Sequence, residues 1–307
     1  MIVMRKYFLI FSFFVIFLFS HFVSVGFAVA KPDPICVLMF HDGYKEHESL
    51  LCDNLTSLNV RGTFAVVVNR TDWSARCNWT QIERLAVNHQ VCSHSWDHKN
   101  ETECSVVELE EELNQTRWLL YEHLGVFTDW HIYPFWSTNG TVIEYLRLYG
   151  YDYAWTYYSS SPDGFVFGWD SRKDSYRLPS TAPWGSGAYG QMKGYVDSLV
   201  SAGSGYVMGM GLHNVLDNHS LTESEYESKG YVTQLDNLTA IISYGKANGV
   251  RFLACDELED YFAHFRSVSY GGSSGSGSSG GFMNNGFFAG LLSVAVIGVI
   301  CSLLRWR

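Results

Sequence analysis

The stretch that decides the fold is residues 35–43, ICVLMFHDG, in which six apolar residues lead directly into a histidine, an aspartate and a glycine. A short unbroken apolar run is typical of a strand buried on both faces, as in a parallel sheet. Similar runs recur along the chain, separated by longer amphipathic stretches typical of helical crossovers. We predict seven strands, at Ile35–Phe40, Thr63–Val68, Gln90–Ser93, His131–Tyr133, Tyr151–Thr156, Tyr206–Leu212 and Val250–Ala254. This alternation predicts an α/β barrel.

The clearest predicted helix lies between the third and fourth strands. Ser105 and Glu108 have the spacing of a capping box, and Gly125 supplies a stop signal. The acidic run at residues 110–112 is expected to be the solvated face of this helix.

Polar side chains follow several of the predicted strands, at the ends where functional groups gather in such folds. His94 and His98 are four residues apart, so both imidazoles can face one metal ion, and Asp42 adds an oxygen ligand. Two imidazoles and one carboxylate suit a divalent metal, Zn²⁺ above all, with a position left for water. The alternative is that these histidines are partly buried and only form hydrogen bonds.

The overall charge excludes one class of partner. The net charge is −10, and the chain carries no cluster of Lys and Arg that would follow a phosphate backbone, so we predict no nucleic-acid binding. The sequence indicates no protein partner either.

Both ends of the chain have the composition of targeting segments. Residues 1–30 read as a secretory signal peptide with a cleavage site after Ala28-Val29-Ala30, the alternative being an uncleaved anchor. Residues 31–269 are the predicted folded domain, and residues 270–281 a Gly/Ser linker. Residues 282–304 are a predicted transmembrane anchor, which also resembles the processing signal for a lipid anchor, and residues 305–307 a cytoplasmic tail.

The number of glycosylation sequons also favours the cell surface, and the number of cysteines is compatible with it. Eight of the 14 asparagines open an N-x-S/T sequon, where chance gives about two, so we expect an N-glycosylated extracellular domain. The six cysteines ahead of the linker either pair in an oxidising compartment, in one of 15 ways, or remain buried thiols.

Together these motifs resemble the polysaccharide deacetylase family, the NodB-homology group of carbohydrate esterases. The motif F-D-D-G of that family appears as Phe40-His41-Asp42-Gly43, its H-S/T-x-x-H as residues 94–98, and its R-x-P-Y/F as residues 132–135. A T-F strand at Thr63-Phe64 and a late Leu212-His213 complete the likeness, which runs over nearly all of residues 35–262. The resemblance implies a distorted (β/α)7 barrel and a metal held by Asp42, His94 and His98.

The implied reaction is hydrolysis of an N-acetyl or O-acetyl group on a cell-surface or extracellular polysaccharide. By resemblance His213 is the general acid, and a backbone N–H near Phe135 stabilises the oxyanion. The segment predicted to bind the sugar comprises Tyr133, Pro134, Phe135 and Trp136.

Three positions depart from the family pattern. His41 replaces the aspartate that serves as base, and Ile132 replaces the arginine that orients it. A neutral imidazole needs no guanidinium partner, so we expect His41 to be a substitute base with an ordinary pKa near 6.5. The motif that tunes the acid is missing in clear form, with Trp169-Asp170 as a stand-in. The alternative function is therefore a membrane-tethered module that binds carbohydrate without catalysis.

Overall fold

The computed structural model describes residues 31–161, 163–183, 187–217 and 232–270. The predicted signal peptide, membrane anchor and tail lie outside the described residues, as does the Gly/Ser linker from residue 271 onward. Among the helices described, none combines the length and the apolar character needed to cross a membrane.

Seven parallel strands form a closed barrel. The strands in chain order are β1 (Ile35–Phe40), β2 (Thr63–Val66), β3 (Gln90–Ser93), β4 (Trp130–Ile132), β5 (Tyr153–Tyr157), β6 (Phe167–Gly168), β7 (Leu178–Thr181), β8 (Tyr206–Leu212), β9 (Asn214–Leu216), β10 (Val232–Gln234) and β11 (Arg251–Phe252). The barrel order is β1-β2-β3-β4-β5-β7-β8, and β8 pairs along the whole of β1 to close it. The predicted seven-stranded α/β barrel is confirmed.

One member of the barrel differs from the prediction. Leu178–Thr181 is the strand between β5 and β8, and it went unrecognised because its sequence, LPST, is not an apolar run although all four residues are buried. The predicted strand Val250–Ala254 is reduced to Arg251–Phe252. This short strand pairs with Ile35 and Cys36 on β1, whereas β2 pairs with Met39 and Phe40 further along the same strand. The prediction was therefore wrong about which segment is the seventh barrel strand.

Helices surround the barrel. They are α1 (residues 47–57, the π-helical His47–Cys52 followed by Asp53–Ser57), α2 (Trp79–Asn88), α3 (residues 106–124), α4 (Gly140–Leu148), α5 (Ala188–Ala202), α6 (Leu235–Ala247) and α7 (Leu258–Tyr270). The capping box of Ser105 and Glu108 is present, and Gly125 ends α3 with a φ of 72°.

The middle of α3 contradicts one expectation. Residues 110–115 are π-helical, and this wider turn shifts the helical register. Glu112 is therefore fully buried, and its carboxylate accepts a hydrogen bond from the backbone N–H of Asp97 at 2.9 Å. The acidic run is not entirely a solvated face.

The core lies on both sides of the barrel wall. Along β1, Val37 and Met39 pack inside with Trp155, whereas Leu38 and Phe40 pack outward under the helices. The six described cysteines are free thiols and five of them are buried, which is the second of the two alternatives for their state.

Candidate metal and catalytic site

The candidate site lies at the carboxyl ends of the barrel strands. Because β1 and β8 pair with Phe40 opposite Leu212, the residues that follow these strands become neighbours. The backbone N–H of His41 donates to the Leu212 carbonyl at 2.8 Å, and the ring centroids of His41 and His213 are 4.9 Å apart. Strand closure thus joins residues separated by more than half of the chain.

Asp42, His94 and His98 form the candidate metal centre. One ligand atom from each residue lies within 4.8 Å of the others. Asp42 Oδ1 is 3.5 Å from His94 Nε2 and 3.3 Å from His98 Nε2. This oxygen is buried and accepts no hydrogen bond, which is costly unless a cation or a donor satisfies it. Two imidazoles around one such oxygen fit a divalent cation, and the donor set is that of Zn²⁺.

The ring of His94 is fixed by a backbone contact. Its Nδ1 is 2.7 Å from the carbonyl oxygen of Ile132, which must accept the proton, so Nε2 is left as the ligand atom facing Asp42. The loop of His98 is held differently, because the His98 backbone N–H donates to Ser95 Oγ at 2.8 Å.

The backbone of the site is strained. Six non-glycine residues among those described have positive φ, and all but Asn59 belong to the loops of this site. They are Asp42 (70°), Ser95 (70°), His98 (61°), Phe135 (53°) and Trp136 (59°). Each such conformation costs about 1 kcal/mol or more and persists only where surrounding contacts enforce it. Such strain collects at functional sites.

Burial controls the protonation of this cluster. Burial, reinforced by the neighbouring imidazoles of His213 and His94, holds the pKa of His41 well below its ordinary value. The expected ordinary pKa of His41 was therefore wrong, since burial penalises the imidazolium. Burial likewise lowers the pKa of His213 to about 4. For Asp42, burial alone would raise the pKa, but the adjacent His94 and the charges of His213 and His98 hold it well below its usual range.

A cavity of about 630 Å³ opens over these residues. Its lining includes His41, Asp42, His94, His98, His213 and the aromatic residues that follow β4. The ring centroid of His41 lies 4.7 Å from that of Trp136, and His41 Nε2 is buried without a hydrogen-bond partner. Because a neutral imidazole keeps one ring nitrogen unprotonated, His41 has the lone pair that a general base needs.

The segment predicted to bind the sugar divides between surface and core. Phe135 is 61% exposed, and its ring lies 4.7 Å from that of His98. Tyr133 is buried, its hydroxyl donates to the Tyr176 carbonyl at 2.9 Å, and Pro134 is buried as well. The structure therefore presents Phe135 and Trp136 at the cavity, whereas the Tyr133 side chain packs in the core.

Trp169-Asp170 does not reach the acid histidine. Gly168 pairs with Tyr206, at the start of β8, whereas His213 follows the end of that strand about 20 Å away. Trp169 is buried and donates from Nε1 to Glu259, and Asp170 pairs with Arg266. The stand-in role was wrong because these residues lie at the opposite end of the barrel.

His47 is a site neighbour that sequence reasoning missed. It is fully buried at the start of α1, and its Nε2 lies 2.8 Å from the carbonyl oxygen of His213. Burial lowers the pKa of His47 to about 4. No short motif contains His47. Its contact partner, His213, lies 166 residues further along the chain, so the contact exists only in the folded structure.

Part of the chain is similar in sequence to known proteins. Residues 28–154 match the family model described as "Polysaccharide deacetylase". A chitin deacetylase from Pestalotiopsis sp is 29% identical over 116 residues, which cover 37% of this chain and 38% of the relative. The match thus spans less than two fifths of that relative.

Two solved structures are also similar. One is the Xyl-CE4 domain of a multidomain xylanase from the hindgut metagenome of Trinervitermes trinervoides, with 19% identity, a TM-score of 0.49 and coverage of 75% of this chain and 91% of that one. The other is the Bc1960 peptidoglycan N-acetylglucosamine deacetylase, with 16% identity, a TM-score of 0.48 and coverage of 74% and 88%.

Proposed function

Because this chain belongs to the polysaccharide deacetylase family, we propose that it is a metal-dependent hydrolase that removes N-acetyl or O-acetyl groups from a polysaccharide. The observation that carries the proposal is the convergence of Asp42, His94 and His98 on one point, with an unsatisfied carboxylate oxygen at its centre. His41 and His213 stand beside that point in the same cavity.

In this proposal the site residues have two tasks, which are to hold the metal and to transfer protons. A divalent cation bound by the three ligands, Zn²⁺ by preference, supplies Lewis-acid polarisation and lowers the pKa of water. The His41 imidazole takes a proton as water adds to the acetyl carbon. His213 gives a proton to the leaving amine or hydroxyl as its bond to that carbon breaks. Because its pKa of about 4 leaves it neutral in the free protein, His213 must first be protonated in the substrate complex. The products are acetate and a free amine or hydroxyl on the sugar.

Two features position the substrate in this scheme. The exposed ring of Phe135 and the neighbouring Trp136 offer apolar faces to a sugar ring. The backbone N–H of Phe135, in a turn of positive φ at the cavity, is the proposed donor to the developing oxyanion.

A second function, binding of acetylated carbohydrate without hydrolysis, is favoured by the nature of the base. An imidazole whose pKa lies well below its ordinary value stays neutral and ready to accept a proton, but it is a weak base. Ile132 is buried where the family pattern has an arginine, so no guanidinium at that position orients the His41 ring.

We propose a cell-surface location for this activity. The support is the signal-like composition of residues 1–30, the sequons and the apolar run at residues 287–304. The seven sequon asparagines within the described residues are all at least partly exposed, as oligosaccharide transfer requires.

The test measures bound metal and acetate release together. Purified full-length protein should carry one divalent ion and release acetate from acetylated chitooligosaccharides. Asp42→Asn should lose both, because the central oxygen ligand is replaced by a neutral amide. The matched control is Asp97→Asn, in the loop that carries His94 and His98, whose carboxylate accepts a hydrogen bond from Asn69 rather than facing the centre.

Each outcome decides between the two functions. Metal binding with acetate release supports the hydrolase. Metal and oligosaccharide binding without acetate release supports the binding module. Full metal occupancy in Asp42→Asn contradicts the ligand set.

A further inference from the structure

A buried chain of polar groups lies beneath the loop that carries both histidine ligands. His131, on β4, has its Nδ1 3.0 Å from Ser93 Oγ and its Nε2 3.2 Å from Glu101 Oε2. None of the three residues is more than 1% exposed. Ser93 immediately precedes His94, and Glu101 follows His98 by three residues. One imidazole thus bonds to both ends of the loop.

The order serine, histidine, carboxylate is also that of a nucleophilic triad, but burial excludes that role here. A nucleophile must touch its substrate, whereas Ser93 is fully buried and is not among the residues that line the cavity over the metal centre. The group acts instead through the backbone that it connects.

The contacts of Ser93 and His131 control the orientation of His94. Ser93 and His131 are the register pair of β3 and β4. The next residues along these strands are His94 and Ile132, and the Ile132 carbonyl accepts the proton of His94 Nδ1 at 2.7 Å. A shift of β4 relative to β3 would remove this acceptor and free the His94 ring to rotate.

The contact of Glu101 controls the other ligand. His98 has a φ of 61°, a conformation that relaxes unless both flanks of the loop are held. On one side the His98 N–H donates to Ser95 Oγ, and on the other the chain is anchored where Glu101 meets His131. Loss of this second anchor lets His98 leave the position in which its Nε2 faces Asp42.

We propose that Ser93, His131 and Glu101 form a positioning network that holds His94 and His98 in metal-binding geometry. This inference rests on the proposed metal centre. A buried carboxylate costs several kcal/mol unless it is paired, so apolar residues would fill the same space more cheaply if packing were the sole requirement. Groups that orient metal ligands typically contribute 10- to 100-fold to metal affinity.

The experiment measures Zn²⁺ affinity of the full chain by competition with a chromophoric chelator, alongside the thermal stability of the metal-free protein. Ser93→Ala and Glu101→Ala should each weaken Zn²⁺ binding about 10- to 100-fold. Glu101→Gln keeps an acceptor for His131 and should restore most of the affinity. The matched control is Thr63→Val at the amino end of β2, which removes two buried hydrogen bonds, to Gln90 and Cys255. It should lower stability without changing Zn²⁺ affinity.

The outcomes separate this inference from the proposed function. If Ser93→Ala and Glu101→Ala bind Zn²⁺ as tightly as the parent, or lose no more affinity than Thr63→Val, the network is structural and the inference is wrong while the metal centre stands. If the parent binds no divalent ion, the proposed function fails first and the inference fails with it. Should Glu101→Ala not fold, Ser93→Ala, which leaves no charge unpaired, decides the question.

Discussion

At the scale of single residues, His41 sets the chemistry that this site can perform. It occupies the place of a carboxylate base in the family pattern, and the structure buries it among His94, His213 and Trp136. Burial removes the water that would stabilise an imidazolium, and the two neighbouring imidazoles disfavour the same charge. The residue is thereby kept neutral over the physiological pH range.

This environment predicts the pH dependence of the reaction. A general base acts in its unprotonated form, so the contribution of His41 to kcat/KM should rise with pH through its pKa and be constant above it. Since that pKa is lowered, the acid limb should lie below pH 6.5, with no further gain from His41 between pH 6.5 and 8. Measurement of acetate release from pH 4 to 8 gives the profile.

Two variants test whether the titration of His41 causes the acid limb of the pH profile. His41→Gln should lower kcat/KM by about 10²- to 10⁴-fold and abolish the limb. His123→Gln, at a histidine on α3 away from the site, should leave the profile unchanged. A limb near 6.5 that persists in His41→Gln belongs to another group and removes His41 as the base.

At the scale of elements, β8 positions the site through a glycine. Gly211 lies under the ring of Trp136 and beside His41. A Cβ at this position would stand 2.6 Å from Trp136 Cη2, closer than real Cβ atoms come, and a tight 3.1 Å from His41 Nε2. The strand thus approaches the site more closely than any side chain would permit.

We therefore expect Gly211→Ala to damage catalysis more than folding. The added methyl group displaces the Trp136 ring and the His41 imidazole, so kcat/KM should fall at least about tenfold while the metal content stays at one ion, because none of the ligands is touched. Gly194→Ala is the control, since a Cβ there meets nothing within 4 Å, and in the interior of α5 it should stabilise the protein by about 0.5–1 kcal/mol. Unchanged kcat/KM in Gly211→Ala would show that Trp136 and His41 tolerate the displacement.

At the scale of the whole molecule, buried histidines make the fold sensitive to acid. His47 is buried among the rings of Phe40, Tyr44 and Phe64. This burial gives it a pKa of about 4, compared with an ordinary 6.5. The unfolded chain takes up a proton below pH 6.5, whereas the folded chain takes it up only near pH 4. Stability is therefore retained above pH 6.5 and falls as the pH drops from 6.5 to 4, by about 3 kcal/mol for this residue alone.

Thermal unfolding of the metal-free protein at pH 7 and pH 5 measures this effect. The parent should have a lower Tm at pH 5, and His47→Gln, which keeps a donor for the His213 carbonyl, should lose a smaller share of its stability over the same interval. His123→Gln should behave as the parent does. Equal losses in the parent and in His47→Gln would show that His47 does not contribute.

Local patterns in the sequence were enough for much of this architecture. The unbroken apolar run at residues 35–40 and its repeats predict buried parallel strands, because a strand covered on both faces has no polar side. The four-residue spacing of His94 and His98, with Asp42 after the first strand, predicts the ligand trio because strand ends converge on one face of a barrel.

The tertiary structure alone decided which groups complete the site. Leu178–Thr181 becomes a barrel strand through its neighbours, since its own sequence lacks an apolar run. His47 meets His213 because β1 and β8 pair, and His131 meets Ser93 and Glu101 because β3 and β4 pair, which in each case joins segments 30 or more residues apart. The pKa of His41 likewise could not be predicted from the sequence, because it depends on the depth of burial and on the imidazoles that follow two other strands. Secondary-structure patterns depend on neighbouring residues and can be read from the sequence. Burial of a side chain and contact between distant segments depend on the folded barrel.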